Sequence, residues 1–153
     1  MKIAIGSDER THLTDAVIAE LKQRGHEVQP FGPLAENDPE EDWPLTSSRV
    51  AQAVADKQAD EGIVFCWTGT GASIAANKVR SIRAALCHDA ETARGARIWN
   101  HANVLALSLR TTTEAIAKEI LDVWFSTPYS DDEWNRQQIA RIQQLEERAI
   151  TNT

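Results

Sequence analysis

Gly62-Ile63-Val64-Phe65-Cys66-Trp67-Thr68-Gly69-Thr70-Gly71-Ala72-Ser73-Ile74-Ala75-Ala76-Asn77-Lys78 is the stretch whose reading decides the fold. A short apolar run ending in a thiol reads as a fully buried strand, and the alanine-rich segment after the glycines reads as a helix. A strand passing through a glycine turn into a helix is the opening of a parallel α/β unit. Free N–H groups at such a turn bind anions or a developing negative charge, and a sulfur anion there meets the same field. Cysteine is also among the most buried residue types, so spacing alone leaves Cys66 open between plain core and chemistry. The turn is no nucleotide fingerprint. Gly69 and Gly71 fill part of a G-x-G-x-x-G pattern, but Ile74 takes the third glycine place and no Gly-Lys-Ser/Thr follows.

Outward from this block, short apolar runs alternate with longer helical patterns. Residues 2–6, 27–31, 62–66, 83–87 and 103–107 read as five strands, and 13–23, 44–58, 73–79 and 89–99 as the helices between them. Leu13, Val17 and Leu21 recur every fourth residue on one helical face, and Gly25 stands where a helix C-terminus wants a glycine. Thr111-x-x-Glu114 reads as a capping box for a helix to about Phe125, and a last helix runs from about Asp132 to Ala149. The segment 32–43, rich in Pro, Asp and Glu, reads as a long mobile loop. This alternation predicts a Rossmann-like, doubly wound, five-stranded parallel sheet in a three-layer αβα sandwich, with one domain across 1–153. Ligands in such sheets bind beyond the strand C-termini at a topological switch point, where Asp8, Cys66 and the segment around Asn100 are expected to gather.

The 153 residues, 42% hydrophobic and 25% charged, suit one soluble domain with an adequate core. A net charge of −7 argues against nucleic acid as the main partner. No apolar run reaches membrane-spanning length, and Met1 to Gly6 reads as a strand rather than a signal peptide. Cys66 and Cys87 show no metal-ligand spacing, so reduced thiols in a cytoplasm are the expectation.

The block C-x-T-G-x-G-x-S-I-A-A-N-K, then Ile82-Arg83-Ala84-Ala85, then Asn100-x-x-Asn103-Val104-Leu105-Ala106, resembles the ribose-5-phosphate isomerase B and galactose-6-phosphate isomerase family over essentially the whole chain. The resemblance implies an aldose–ketose isomerase in which Cys66 shuttles a proton between the two carbons beside the carbonyl, through a cis-enediolate. It implies that the backbone of Gly69, Thr70, Gly71, Ala72 and Ser73 holds the enediolate oxygens, and that Thr68 assists proton movement. Asp8, Glu9, Trp67, Asn77, Trp99, Asn100, Arg110, Glu133 and Arg136 fall at or beside substrate-facing places. No metal or organic cofactor is implied. The implied partners are a sugar or sugar phosphate and a further copy of the chain, as a homodimer or tetramer with shared sites, the helix at 132–149 packing on the neighbouring subunit.

Several family residues are replaced. The first loop, Asp-His-Ala-Gly in the family, is Asp8-Glu9-Arg10-Thr11, and the ring-opening histidine place holds Trp99. Both phosphate-contacting arginine places of the last helix are Glu133 and Gln137. A dianionic phosphate beside carboxylates is repelled in a partly desolvated site. Arg10, Arg110 and Arg136 are the candidates to compensate, and His101 and His12 the candidates for ring opening. Trp67, Trp99 and Trp134 offer flat apolar faces suited to the C–H face of a sugar, although tryptophan at such places also serves simple packing. The set points to an uncharged or shorter sugar than ribose 5-phosphate. A non-catalytic subunit or sugar-binding module of a hetero-oligomeric isomerase is the alternative, and a nucleotide-binding domain a third reading without a fingerprint.

Overall fold

The computed structural model describes the backbone of residues 1–151 and the side chains of residues 1–149. Five strands form one sheet in the order β2-β1-β3-β5-β4, every pairing parallel. They are β1 (Lys2–Ser7), β2 (Glu27–Phe31), β3 (Glu61–Cys66), β4 (Ala84–Leu86) and β5 (Val104–Ser108). The helices are α1 (His12–Gln23), α2 (Trp43–Ala55), α3 (Thr70–Ala76), α4 (Ala90–Asn100), α5 (Glu114–Ser126) and α6 (Glu133–Thr151). From β1 the chain steps outward to β2 and then crosses to β3 on the other side of β1. The switch point of this sheet is therefore the crevice between the ends of β1 and β3.

Strand periodicity divides the core into two layers. Ile3, Ile5, Ile63, Phe65, Leu105 and Leu107 point to one face, with Leu13, Val17 and Leu21 of α1 and Ile120, Leu121 and Trp124 of α5. Ala4, Val64, Cys66, Val104 and Ala106 point to the other, under Val50, Ala51 and Val54 of α2 and Ala72 and Ala76 of α3. This second face is built from small side chains, so α2 and α3 lie close to the sheet. Cys66 belongs to it, beneath α3.

The element types agree with the alternation read from sequence, and several boundaries move for local reasons. Helix α3 starts at Thr70, not 73, because Gly69 takes a left-handed conformation (φ 77°) as its N-cap. The Thr111–Glu114 capping box does not form. Thr113 is the N-cap, its hydroxyl accepting from the Ile116 N–H at 3.2 Å, while the Thr111 N–H is drawn to the Ser108 hydroxyl. A reciprocal box is present instead at Thr11 and Thr14, which open α1. Edge strand β4 is only three residues long and pairs with β5 alone. The segment read as a mobile loop holds a 3-10 turn at Gly32–Leu34. It is tied down by Asp38, which accepts from the Gly32 N–H at 2.8 Å and pairs with Arg49 at 2.9 Å. The Arg49 guanidinium and the Gly32 N–H hold the Asp38 carboxyl down at about 2.

A buried polar cluster closes the N-terminal edge of the sheet. Glu61, at the start of β3, pairs with Arg97 of α4 at 2.9 Å and accepts from the Trp124 indole of α5. Arg97 also donates to the Ala102 carbonyl at 2.7 Å and lies over the Trp124 and Tyr129 rings. Burial pushes the Glu61 carboxyl up, against the opposing pull of Arg97. Among the described residues no helix is long and apolar enough to cross a membrane.

Candidate active site

Cys66 ends β3 with only 5% of its surface exposed, and its Sγ accepts a hydrogen bond from the Ala72 N–H at 3.4 Å. The turn beyond it is pinned from two sides. The Cys66 carbonyl accepts from the Gly69 N–H at 3.2 Å and from the Leu109 N–H at 3.0 Å. The Trp67 carbonyl accepts from the Arg110 N–H at 2.9 Å and the Ser108 hydroxyl at 2.9 Å. Only glycine suits position 69: besides its positive φ, an added Cβ would stand 2.9 Å from the Leu107 carbonyl carbon. The N–H groups of Thr70 and Gly71 have no protein acceptor among the described residues. They are the donors a developing oxyanion can use.

A cavity of about 310 Å³ opens here, lined by Asp8, Trp43, Cys66, Trp67, Thr68, Thr70 and Gly71. That lies at the small end of ligand sites, which span roughly 300–1,000 Å³. Asp8, just past the end of β1, is half-buried, and its Oδ1 is buried without a partner among the described residues. Burial raises its pKa, the Glu9 charge adds to the rise, and a backbone hydrogen bond opposes it. The Ser7 hydroxyl shapes this corner by donating to the Glu9 carbonyl at 2.7 Å and accepting from the Glu9 N–H at 3.2 Å. The hydroxyls of Thr68 and Thr70 are 2.6 Å apart. Trp67 is 59% exposed at the rim. Sequence reasoning missed Trp43, whose indole lies against Gly71, within 3.0 Å of where a Cβ would be. Its only signal was an aromatic at the start of a helix after an acidic loop.

The remaining expected residues do not join this cavity. The segment around Asn100 does not gather with Asp8 and Cys66, contrary to the expectation from the fold class. A crossover helix runs antiparallel to its strands, so α4 ends at the opposite, N-terminal edge, where Arg97 meets Glu61 and the Gly62 N–H donates to Asn103. Trp99 is 57% exposed there and lies over Gly95. Asn100 lines a second cavity, of about 490 Å³, with β4 and Ile142, Leu145 and Glu146 of α6. Asn77 lines the same cavity, and its amide bonds both the N–H and the carbonyl of Ala84, at 2.8 and 2.9 Å. Its side chain is thus spent joining α3 to β4. Ser73 lies behind the turn, its N–H donating to the Gly69 carbonyl.

Neither ring-opening candidate reaches Cys66. His101 caps α4 in a left-handed conformation (φ 49°), stacks on Tyr129 at 4.6 Å and donates through Nε2 to the Ser130 carbonyl at 2.9 Å. His12 pairs with Glu114 on the outside of the fold. Two of the three compensating arginines are also engaged: Arg10 with Asp15 at 2.8 Å and Arg136 with Asp131 at 3.0 Å. Arg110 is exposed and has no side-chain ion pair among the described residues. Glu133 accepts from the Gln137 amide at 3.3 Å, and neighbouring Trp134 is 64% exposed. Burial pushes the second thiol, Cys87, up to about 12. No group of three His, Cys, Asp or Glu able to hold a metal occurs among the described residues.

Comparison with known proteins bears on this geometry. The family model described as Ribose/Galactose Isomerase matches residues 3–145. A ribose-5-phosphate isomerase B of Escherichia coli is 38% identical over 148 residues, covering 96% of this chain and 97% of that one. A D-erythrulose-4-phosphate isomerase of Pectobacterium atrosepticum is 38% identical over 132 residues, covering 84% and 85%. The solved structure of ribose-5-phosphate isomerase B from Clostridium thermocellum superposes with a TM-score of 0.89 at 38% identity, over 97% of this chain and 99% of that one.

Proposed function

The chain belongs to the ribose/galactose isomerase family, and on that premise we propose that it interconverts an aldose and a ketose through Cys66, on a short sugar that does not need ring opening. The observation that carries this reading is the cavity that brings the Cys66 thiol, the open N–H groups of Thr70 and Gly71 and the unpartnered Asp8 oxygen to one switch point. Cys66, as thiolate, takes the proton from C2 of the aldose. The carbonyl oxygen at C1 gains negative charge and is held by the turn. A hydroxyl proton moves from O2 to O1 by way of Thr68. The Cys66 thiol then returns its proton to C1, and the ketose forms with no net loss of atoms or electrons.

A short substrate follows from what is missing. Trp99 stands at the ring-opening place, and His101 and His12 are engaged elsewhere. A four-carbon sugar esterified at its far end has no free hydroxyl with which to close a five-membered ring, and one relative carries the name of a four-carbon sugar phosphate. With Arg10 and Arg136 paired, Arg110, whose backbone N–H meets the Trp67 carbonyl, is the one of these three arginines left for a phosphate. The site therefore suits a ligand that carries no more negative charge than that single terminal ester. Asn100, Trp99, Glu133 and Arg136 lie away from Cys66 in a single chain, so their place in catalysis requires a second copy whose α4 and α6 reach this cavity.

Proton NMR in deuterated water tests the reading, with pooled four- to six-carbon aldoses and ketoses, with and without phosphate. Deuterium is expected at the carbon beside the carbonyl with the wild-type protein and not with Cys66→Ala. The replacements at 99, 133 and 137 favour the alternative of a non-catalytic subunit. Silence of the folded homomer with every sugar would select that alternative.

A further inference from the structure

The turn holds two hydroxyls where the isomerase chemistry describes work for one. Thr68 and Thr70 both line the Cys66 cavity and are both exposed, with Oγ1 atoms 2.6 Å apart. That is at the short end of O–H···O hydrogen bonds, which span roughly 2.5–3.0 Å. The left-handed conformation of Gly69 turns the chain between them, so residues two apart meet side by side. Neither hydroxyl has another protein partner among the described residues.

We propose that Thr70 is a positioning residue for proton transfer, holding the Thr68 hydroxyl so that its proton faces the substrate. This rests on the isomerase reading above. A hydroxyl has one proton and two acceptor sites. Moving a proton from O2 to O1 of the enediolate uses the proton of Thr68, given to O1, and one of its lone pairs, which receives the proton of O2. One lone pair remains. If Thr70 donates to it, the hydrogen-bonding capacity of Thr68 is filled and its rotor is fixed with the proton toward O1. Thr68 ends the step with one proton, as it began, and Thr70 keeps its own. No oxidant or further reactant is needed. Were Thr68 to donate to Thr70 instead, its proton would point away from the substrate, and the step would wait for a rotation.

The carbon and hydroxyl transfers can be read separately. Exchange of the carbon-bound proton with solvent needs Cys66 and the oxyanion donors, whereas net conversion also needs the hydroxyl transfer. Thr70→Val keeps the β-branched shape and removes the hydroxyl; Thr70→Ser keeps the hydroxyl. In Thr70→Val, kcat for interconversion is expected to fall about 10- to 100-fold, part of the effect of a positioned proton-transfer group. KM should hold, deuterium incorporation into substrate should continue, and the ratio of exchange to conversion should rise. Thr70→Ser should restore conversion. Circular dichroism establishes folding, and Thr70→Ala carries the same expectation should the valine variant not fold. Unchanged conversion in Thr70→Val overturns the role, as does parallel loss of exchange and conversion that serine does not repair. Silence of the wild-type protein would remove the isomerase reading and this role together; an active wild type with an equally active Thr70→Val removes only the role of Thr70.

Discussion

Replacing Gly69 with alanine tests whether the turn beside Cys66 is held by contact as well as by conformation. Gly69 sits at φ 77°, and its Cβ would fall 2.6 Å from Leu86 Cδ1, 2.9 Å from the Leu107 carbonyl carbon and 3.0 Å from its oxygen. The leucine methyl can rotate away, but the Leu107 backbone cannot, since it lies in β5, paired to β3. A left-handed non-glycine residue costs about 1–2 kcal/mol, and overpacking against rigid neighbours about 1–3 kcal/mol more. The expected destabilisation is therefore about 2–5 kcal/mol, a large share of the roughly 5–15 kcal/mol that holds a domain folded. Gly25 supplies the control: its φ is 81°, and nothing lies within 4 Å of its Cβ position. Gly25→Ala carries the conformational cost alone. Urea denaturation of both variants, with unchanged m-values, isolates the steric part as their difference, about 1–3 kcal/mol. Equal midpoints would refute the claim that Leu107 forbids a side chain at this turn.

In Glu61→Leu the Arg97 guanidinium stays buried without its carboxylate, and a loss of about 3–5 kcal/mol is expected in the same denaturation assay. Asp38 gives a pH window. Its folded pKa, about 2, lies below the ordinary value of 3.8, so its contribution is present above pH 3.8 and is lost as pH falls through 2. Hydrogen exchange across 32–42 should therefore quicken between those limits, and Arg49→Gln should move the onset toward pH 4; an onset that stays put would exclude the Arg49 pairing. If Arg110 alone meets a phosphate, Arg110→Gln should raise KM for a phosphorylated substrate about 10- to 150-fold, the value of a charged hydrogen bond, and leave an unphosphorylated one unchanged. Glu133→Arg with Gln137→Arg should strengthen inhibition by phosphorylated sugar analogues, and an unmoved inhibition constant would show that those positions do not face the ligand.

The fold class and half of the candidate site were legible in the residues themselves. Hydrophobic periodicity is local, so five strands, their alternation with helices and the strand–turn–helix at Cys66 follow from neighbours within one window. A parallel sheet of that pattern then brings the ends of β1 and β3, with Asp8 and Cys66, to one crevice. Residues that act through distant contacts stayed hidden. Nothing near Trp43 announces that its indole rests on Gly71, and nothing in Thr111-x-x-Glu114 shows that Ser108 claims the Thr111 N–H, leaving Thr113 to cap the helix. The direction of α4 decided the rest. Because a crossover helix must return to the strands' starting edge, Asn100 and His101 end far from the thiol, and the ring of His101 is taken by Tyr129 and Ser130. Chemistry carried by one turn can be read in order along the chain. Which side chains are already spent on partners from other elements is settled only when the sheet is assembled.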